Sequence, residues 1–600
     1  MYTGRSMVVA VSIGLIAFVL LGKLFLIQVT DDSYLRKAER NAIQRVVDHP
    51  YRGLVYDRNN SLMVFNDPVF DLMVIPREFS LEDTSRFCDL FDIEKEKLIE
   101  AFNAAKNYSW VKPSPLIKQI SKEEFGRVQD FLIDYRGLFV MTRSVRAYPR
   151  SAASSTLGYI GEINASQLNR DSSQYYVQGD YVGLSGIEDY YEPELRGRKG
   201  VKYKLVNVRG IEKGAFKNGD LDTLSVPGEN LQATIDLNLQ VYGEKLMQGK
   251  RGSVVAIEPE TGEILTMISA PVYDPNILTG AKFGENYQAL NKDPDKPLFN
   301  RPIMAMYPPG SIFKIVQSLI GMQEGILTAK TTFPCNRALV NCHNHPTPVN
   351  LFGAIRNSCN PYYHQAFRQV INREVSSNTY KDTQIGLDQW RESVLKFGLG
   401  NRLGIDMHGE KSGSIPSSEL YDRIYGEGRW KYSTIYSLSI GQGEMLVTPL
   451  QMANLAAIFA NKGYYYTPHL IKAIDGDPSR IPEKFRTKNE TGIDAAHFEL
   501  IQDAMAAALY GTAARAIMED IEIAGKTGTA QNPAGEDHSV FIAFAPKEDP
   551  KIAIAVYVEN AGWGGRAAAS TASLLIEKYL AGSISRPELE EYVLKGEFIY

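Results

Sequence analysis

Cysteine is scarce in this chain, with four among 600 residues. That excludes a small disulfide-stapled scaffold, which needs a dense cysteine framework. A basic excess is missing too. Lys plus Arg number 65 against 70 Asp plus Glu, a formal net charge of −5, so nothing in the charge balance suits nucleic acid as a partner. Low-complexity tracts and repeats of solenoid period are absent, which excludes repeat architectures. The N-terminus, by contrast, carries a long hydrophobic run. Met7 to Val29 is almost wholly apolar, broken by Lys23, and is long enough for one membrane span. Arg5 precedes it, but no small-x-small cleavage site follows Gly22, so an uncleaved signal anchor is expected rather than a removed signal peptide. Charge leaves orientation open, with Arg5 on one side and Arg36, Lys37 and Arg40 on the other. A chain of this length exceeds one hydrophobic core, and two or three domains are expected.

What is present gathers around Tyr307-Pro308-Pro309-Gly310-Ser311-Ile312-Phe313-Lys314. A stiff Pro-Pro-Gly turn leads into apolar residues at Ile312, Ile315, Val316, Leu319 and Ile320, the spacing of a helix that Gly325 can end. Ser311 is then expected at the helix start, with Lys314 one turn on and on the same face. A serine hydroxyl is a weak nucleophile until a base removes its proton, and a desolvated lysine can be that base. The unpaired N–H groups of a helix start can stabilise an oxyanion. A lone Ser-x-x-Lys is weak, because an N-cap serine followed by a solvated lysine gives the same letters.

Two further matches follow in order, Ser358-Cys359-Asn360 and Lys526-Thr527-Gly528-Thr529. This ordered set resembles that of the penicillin-recognising serine acyltransferases. Other stretches extend the likeness along nearly the whole chain. Arg52-Gly53 with Tyr56-Asp57-Arg58, Arg146-Ala147-Tyr148-Pro149, Gly158-Tyr159-Ile160-Gly161 and Gly183 to Glu188 resemble the non-catalytic domain of class B penicillin-binding proteins. Asn300-Arg301, Gly441-Gln442-Gly443, Thr448-Pro449-Leu450-Gln451 and Asn461-Lys462-Gly463 resemble its catalytic domain. Asp537-His538 through Phe544-Ala545-Pro546 resembles the elongation-specific type, penicillin-binding protein 2.

The resemblance implies an α/β penicillin-binding fold, an antiparallel sheet covered by helices plus an all-helical subdomain. Residues 1–30 would be a cytoplasmic tail and membrane anchor, 31–225 a non-catalytic α+β pedestal, and 226–600 the transpeptidase domain. It implies acyl transfer between peptidoglycan stem peptides through a serine ester, during cell elongation, with acylation by β-lactam antibiotics. Ser311 would attack, Lys314 would act as base, and Ser358 would relay a proton to the leaving amine. Asn360 would hold substrate amide and Lys314 together, since its amide both donates and accepts. Lys526, Thr527 and Thr529 would bind the substrate carboxylate, and Gly528 would let the substrate backbone approach. The N–H groups of Ser311 and Thr529 would form the oxyanion hole. Partners implied are a polytopic SEDS-type glycosyltransferase and other elongation proteins, at the bacterial inner membrane with the catalytic part periplasmic. The alternatives are a division-specific transpeptidase or mainly a scaffold for the glycosyltransferase. A β-lactamase fits poorly, because no deacylating glutamate can be assigned and the chain carries an anchor and an extra domain. A carboxypeptidase would use the same residues with water as acceptor.

Along the chain, Ser33 to Arg45 reads as a helix-prone polar run, Val55-Tyr56 as a strand, and Phe79 to Tyr135 as mixed helix and loop. Arg and Glu in the non-catalytic motifs are expected to form buried ion pairs joining strands. Gly252–Ile257 and Ile264–Ile268 read as a hairpin, Pro449–Ala460 as a helix, and Ile521–Gln531 and Val540–Ala545 as strands. Ile552–Val558, continuously apolar, is expected as a central strand buried on both faces.

Three of the four cysteines fall between Cys335 and Cys359, together with His343 and His345. Thiolate and imidazole suit a closed tetrahedral zinc site. The expected ligands are Cys335, Cys342, His345 and Cys359, with His343 as substitute. No cofactor is expected for catalysis. A Cys335–Cys342 disulfide with a small buried Cys359 is the alternative.

Overall fold

The computed structural model describes residues 2–30, 43–80, 84–206 and 212–599. Ser6–Gln28 lies in a continuous helix and is long and apolar enough to cross a membrane, consistent with a single-pass anchor. We call the α-helical part α1 (Tyr2–Phe25). The run from Ser33 lies largely outside the described residues. From Ile43 it is extended as β1 (Ile43–Asp48), not helical, because its end pairs antiparallel with Gly200–Val206.

The chain divides into two compact units, one of residues 1–52, 68–145 and 196–228, the other of 53–67, 146–195 and 229–600. Within the first, the Phe79–Tyr135 region contains three α-helices, Thr84–Phe91, Lys95–Tyr108 and Lys122–Val128, and a strand absent from the sequence reading, β2 (Ser114–Ile120). Pro115 argues locally against a strand. The segment nevertheless pairs with residues 70–74, and Leu116 and Ile120 join Leu72, Val74, Phe79, Phe87, Leu98 and Phe102 in a core.

The second unit is built on five antiparallel strands. The hairpin of β3 (Gly252–Ile257) and β4 (Ile264–Ala270) forms one side. The strands β5 (Ala524–Ala530), β6 (His538–Ala545) and β7 (Ile552–Val558) complete the order β4-β3-β7-β6-β5. Alternation along β7 explains its unbroken apolarity. Ala553, Ala555 and Tyr557 pack in one core with Ile312, Phe313, Leu450 and Leu455, while Ile552, Ile554, Val556 and Val558 pack in another with Leu246, Leu574 and Leu575. The sheet is therefore covered by helices on both sides. Helix Pro449–Ala460 is capped by Thr448, which accepts from Gln451 N while the Gln451 side chain accepts from Thr448 N.

Arg146 and Glu188 make the expected buried ion pair, but it joins a strand end to the short helix Gly186–Tyr190 rather than two strands. Arg146 Nε donates to Glu188 Oε1 at 2.6 Å and Nη1 donates to Asn66 Oδ1 at 3.0 Å, with Arg146 1% and Glu188 1% exposed. Truncating one partner leaves a buried charge unpaired. Arg146→Ala is therefore expected to destabilise the protein by about 3 kcal/mol, read as a lowered urea midpoint of the full chain in detergent.

Candidate active site

Ser311 lies in a 3-10 turn, Gly310–Phe313, rather than in the first turn of the α-helix, which begins at Lys314 as α2 (Lys314–Gln323). The turn is fixed from outside. Gly310 has φ +58° and donates its N–H to Gly441 O at 2.9 Å, and a Cβ there would stand 2.9 Å from Thr529 O. Only glycine meets both demands easily. Tyr307 exchanges two backbone hydrogen bonds with Val447, stacks on Tyr557 at 3.9 Å, and donates its hydroxyl to Glu559 Oε1 at 2.7 Å. Arg301 and Arg251 pair with the same carboxylate at 3.2 and 3.1 Å. Local sequence patterns give no sign of this support, which is entirely long-range.

The three motifs meet at Ser358. Lys314, fully buried on α2, places Nζ 2.7 Å from Ser358 O, 3.1 Å from Ser358 Oγ and 2.6 Å from Asn360 Oδ1. Lys526 donates to Ser358 Oγ at 3.0 Å and to Thr527 O at 3.0 Å. Ser358 has φ +52°, a conformation non-glycine residues avoid and which tends to persist where function demands it. Asn360 opens α3 (Asn360–Ile371), with Pro361 in its first turn. Its Nδ2 donates to Asn341 O at 2.7 Å, which aims Oδ1 at Lys314. On β5, Thr527 donates to Thr512 Oγ1 at 2.9 Å, and a Cβ on Gly528 would stand 3.2 Å from Pro309 O and from Ile312. The turn carrying Ser311 and β5 are in contact there. Lys314's hydrogen bonds go to Ser358 and Asn360, and Ser311 Oγ is not among its partners.

Burial pushes Lys314 down to about 7, against a smaller upward pull from Cys342 and Cys359. Lys526 is pushed well below the ordinary lysine range by burial and then by the charge of Lys314. At neutral pH a proton can therefore move into or out of this pair.

Beside Asn360, one ligating atom from each of Cys335, Cys342, His345 and Cys359 lies within 4.8 Å of the others. All four cysteines of the chain are free thiols, so no disulfide joins Cys335 to Cys342. His345 Nδ1 lies 2.8 Å from Pro346 O, which suits an Nδ1–H donor and leaves Nε2 facing Cys342 Sγ at 3.6 Å. His343 is not in the group. Three sulfurs this close cannot all ionise without a cation among them. A tetrahedral zinc site, with metal–sulfur bonds of about 2.3 Å, needs ligand atoms at about this spacing.

A profile of the penicillin-binding protein transpeptidase domain matches residues 252–577, and one of the penicillin-binding protein dimerisation domain matches residues 47–233. The chain belongs to the penicillin-binding protein transpeptidase family. It is an enzyme of the serine acyltransferase type. The peptidoglycan D,D-transpeptidase MrdA of Escherichia coli K12 is 29% identical over 605 aligned residues, covering 94% of this chain and 92% of that protein. Penicillin-binding protein 2 of Helicobacter pylori, solved in complex with MreC, superposes with a TM-score of 0.72 at 26% identity, covering 90% of this chain and all of that one. A chain of a peptidoglycan synthase complex that coordinates polymerization and crosslinking gives a TM-score of 0.69 at 25% identity, covering 97% of this chain and 99% of that one.

Proposed function

We propose that Ser311 is the nucleophile through which this protein crosslinks peptidoglycan. The protein is a peptidoglycan D,D-transpeptidase of cell elongation, acylated by β-lactams. The observation that carries the residue roles is the meeting of Lys314 and Lys526 on one hydroxyl, Ser358 Oγ, at 3.1 and 3.0 Å. Ser311 Oγ attacks the carbonyl between two D-alanines, and neutral Lys314 takes its proton. The N–H groups of Ser311 and Thr529 hold the oxyanion. Ser358 passes the proton to the departing amine as the carbon–nitrogen bond breaks, and free D-alanine leaves. An amine from a second stem peptide then attacks the ester, losing a proton to the same relay, and Ser311 Oγ is regenerated. Thr527, Thr529 and Lys526 bind the terminal carboxylate. That carboxylate brings the counter-charge that returns Lys526 to its ammonium form, against the burial that otherwise disfavours it.

Cys335, Cys342, His345 and Cys359 hold a structural zinc ion that ties the 335–345 loop to the middle motif. When bound it supplies no step of the reaction; it fixes the loop whose Asn341 carbonyl orients Asn360. Residues 1–30 are the cytoplasmic tail and inner-membrane anchor, 31–225 the pedestal, and 226–600 the transpeptidase domain, which is periplasmic. The partners are a SEDS-type glycosyltransferase and elongation proteins such as MreC, the partner of the Helicobacter pylori relative.

Incubation with a labelled penicillin, followed by intact mass and peptide mapping, is expected to place one label on Ser311 and none on Ser311→Ala. Label on another residue refutes the assignment. Acylation by benzylpenicillin is expected to fall as pH drops through about 7, because the base is then protonated. A stopped-flow profile flat between about pH 5.5 and 8.5 excludes Lys314 as the base. Protein purified without a metal-affinity tag is expected to carry about one zinc per chain by elemental analysis, and chelation is expected to lower its melting temperature and slow acylation together.

A further inference from the structure

The two oxyanion donors of that reading lie on separate elements, Ser311 on the turn before α2 and Thr529 on β5, and their spacing has to be set by something that touches both. We infer that Gln442 is this positioning residue. Gly441 ends a 3-10 turn, Tyr436–Ile440, at φ +72°, and its carbonyl accepts the N–H of Gly310, the residue before the nucleophile. A Cβ on Gly441 would stand 2.3 Å from Gly310 O, so the two backbones are flush. One residue on, Gln442 Nε2 donates to Thr529 O at 3.3 Å. Gln442 N donates to Ser437 O at 3.1 Å, which anchors the residue itself. The dipeptide Gly441-Gln442 therefore braces the two elements where they touch, holding residue 310 with a carbonyl and residue 529 with a side-chain amide. The chemistry selects glutamine. Thr529 O is an acceptor, so its clamp must donate, and a carboxylate of the same size would repel it. A clamp of this kind acts on the transition state, because the oxyanion exists only after attack.

This inference rests on the nucleophile and oxyanion-hole reading, and the experiment separates the two. Full-length wild type, Gln442→Glu and Gln442→Met are compared with benzylpenicillin by stopped flow, resolving pre-covalent affinity from the acylation rate constant. Both variants are expected to lose at least about tenfold in the acylation rate constant while pre-covalent affinity stays within about threefold. Affinity for a boronic acid that forms a tetrahedral adduct on the serine is expected to fall by the same factor, a readout that loose packing alone would not move in step. Met, which has neither charge nor donor, carries the test if the Glu variant does not fold. Acylation and boronate affinity within twofold of wild type, with Ser311→Ala unlabelled, overturn the clamp and leave the nucleophile standing. Label retained by Ser311→Ala overturns both.

Discussion

Lys314 and Lys526 reach the hydroxyl of Ser358 from a helix and from a sheet edge, at 3.1 and 3.0 Å. Both amines are buried in a place that cannot comfortably hold two positive charges. Burial and the neighbouring amine both disfavour the charged forms, which is the setting a lysine base requires. The rest of the site serves this arrangement. The left-handed backbone of Ser358 lets Lys314 take both its carbonyl and its hydroxyl, and Asn360 supplies a third acceptor.

Asn360 also explains its own identity. Its amide accepts from Lys314 on one side and donates to Asn341 O on the other. An aspartate could accept from the lysine equally well but would turn a lone pair toward the Asn341 carbonyl. Asparagine at this place is thereby tied to the conformation of the 335–345 loop. Cys335, Cys342 and His345 of that loop cluster with Cys359, the residue before Asn360.

Much of this was legible from residues alone, and the division follows a physical line. Features written in contiguous residues came through: the apolar β7, the hairpin of β3 and β4, the helix Pro449–Ala460, the three ordered motifs. Features decided by distant partners did not. Ser311 sits in a 3-10 turn because Gly441 and Thr529 press on Gly310, and neither is near it in sequence. β2 carries a proline yet is a strand because residues 70–74 pair with it. Of the two histidines, His345 is the one whose ring nitrogen joins the three sulfurs, as the sequence suggested. Arg301 and Gln442 fall in stretches that resemble the family's, but what they hold, through Glu559 and Thr529, is set by partners distant in sequence.

The strand order β4-β3-β7-β6-β5 has a consequence for how the chain is made. β7 lies in the middle of the sheet but is the last of its strands to be synthesised. The hairpin of β3 and β4 therefore emerges early with an open edge and apolar residues on both sides, and its partner β7 does not exist until much later in synthesis. Pairings this distant are slow, and an unpaired hydrophobic edge invites association with other chains while it waits. A ribosome that stops before Ile552 releases a polypeptide with every catalytic motif and no sheet able to hold them. Quality control of this protein is in effect a test of whether β7 has arrived.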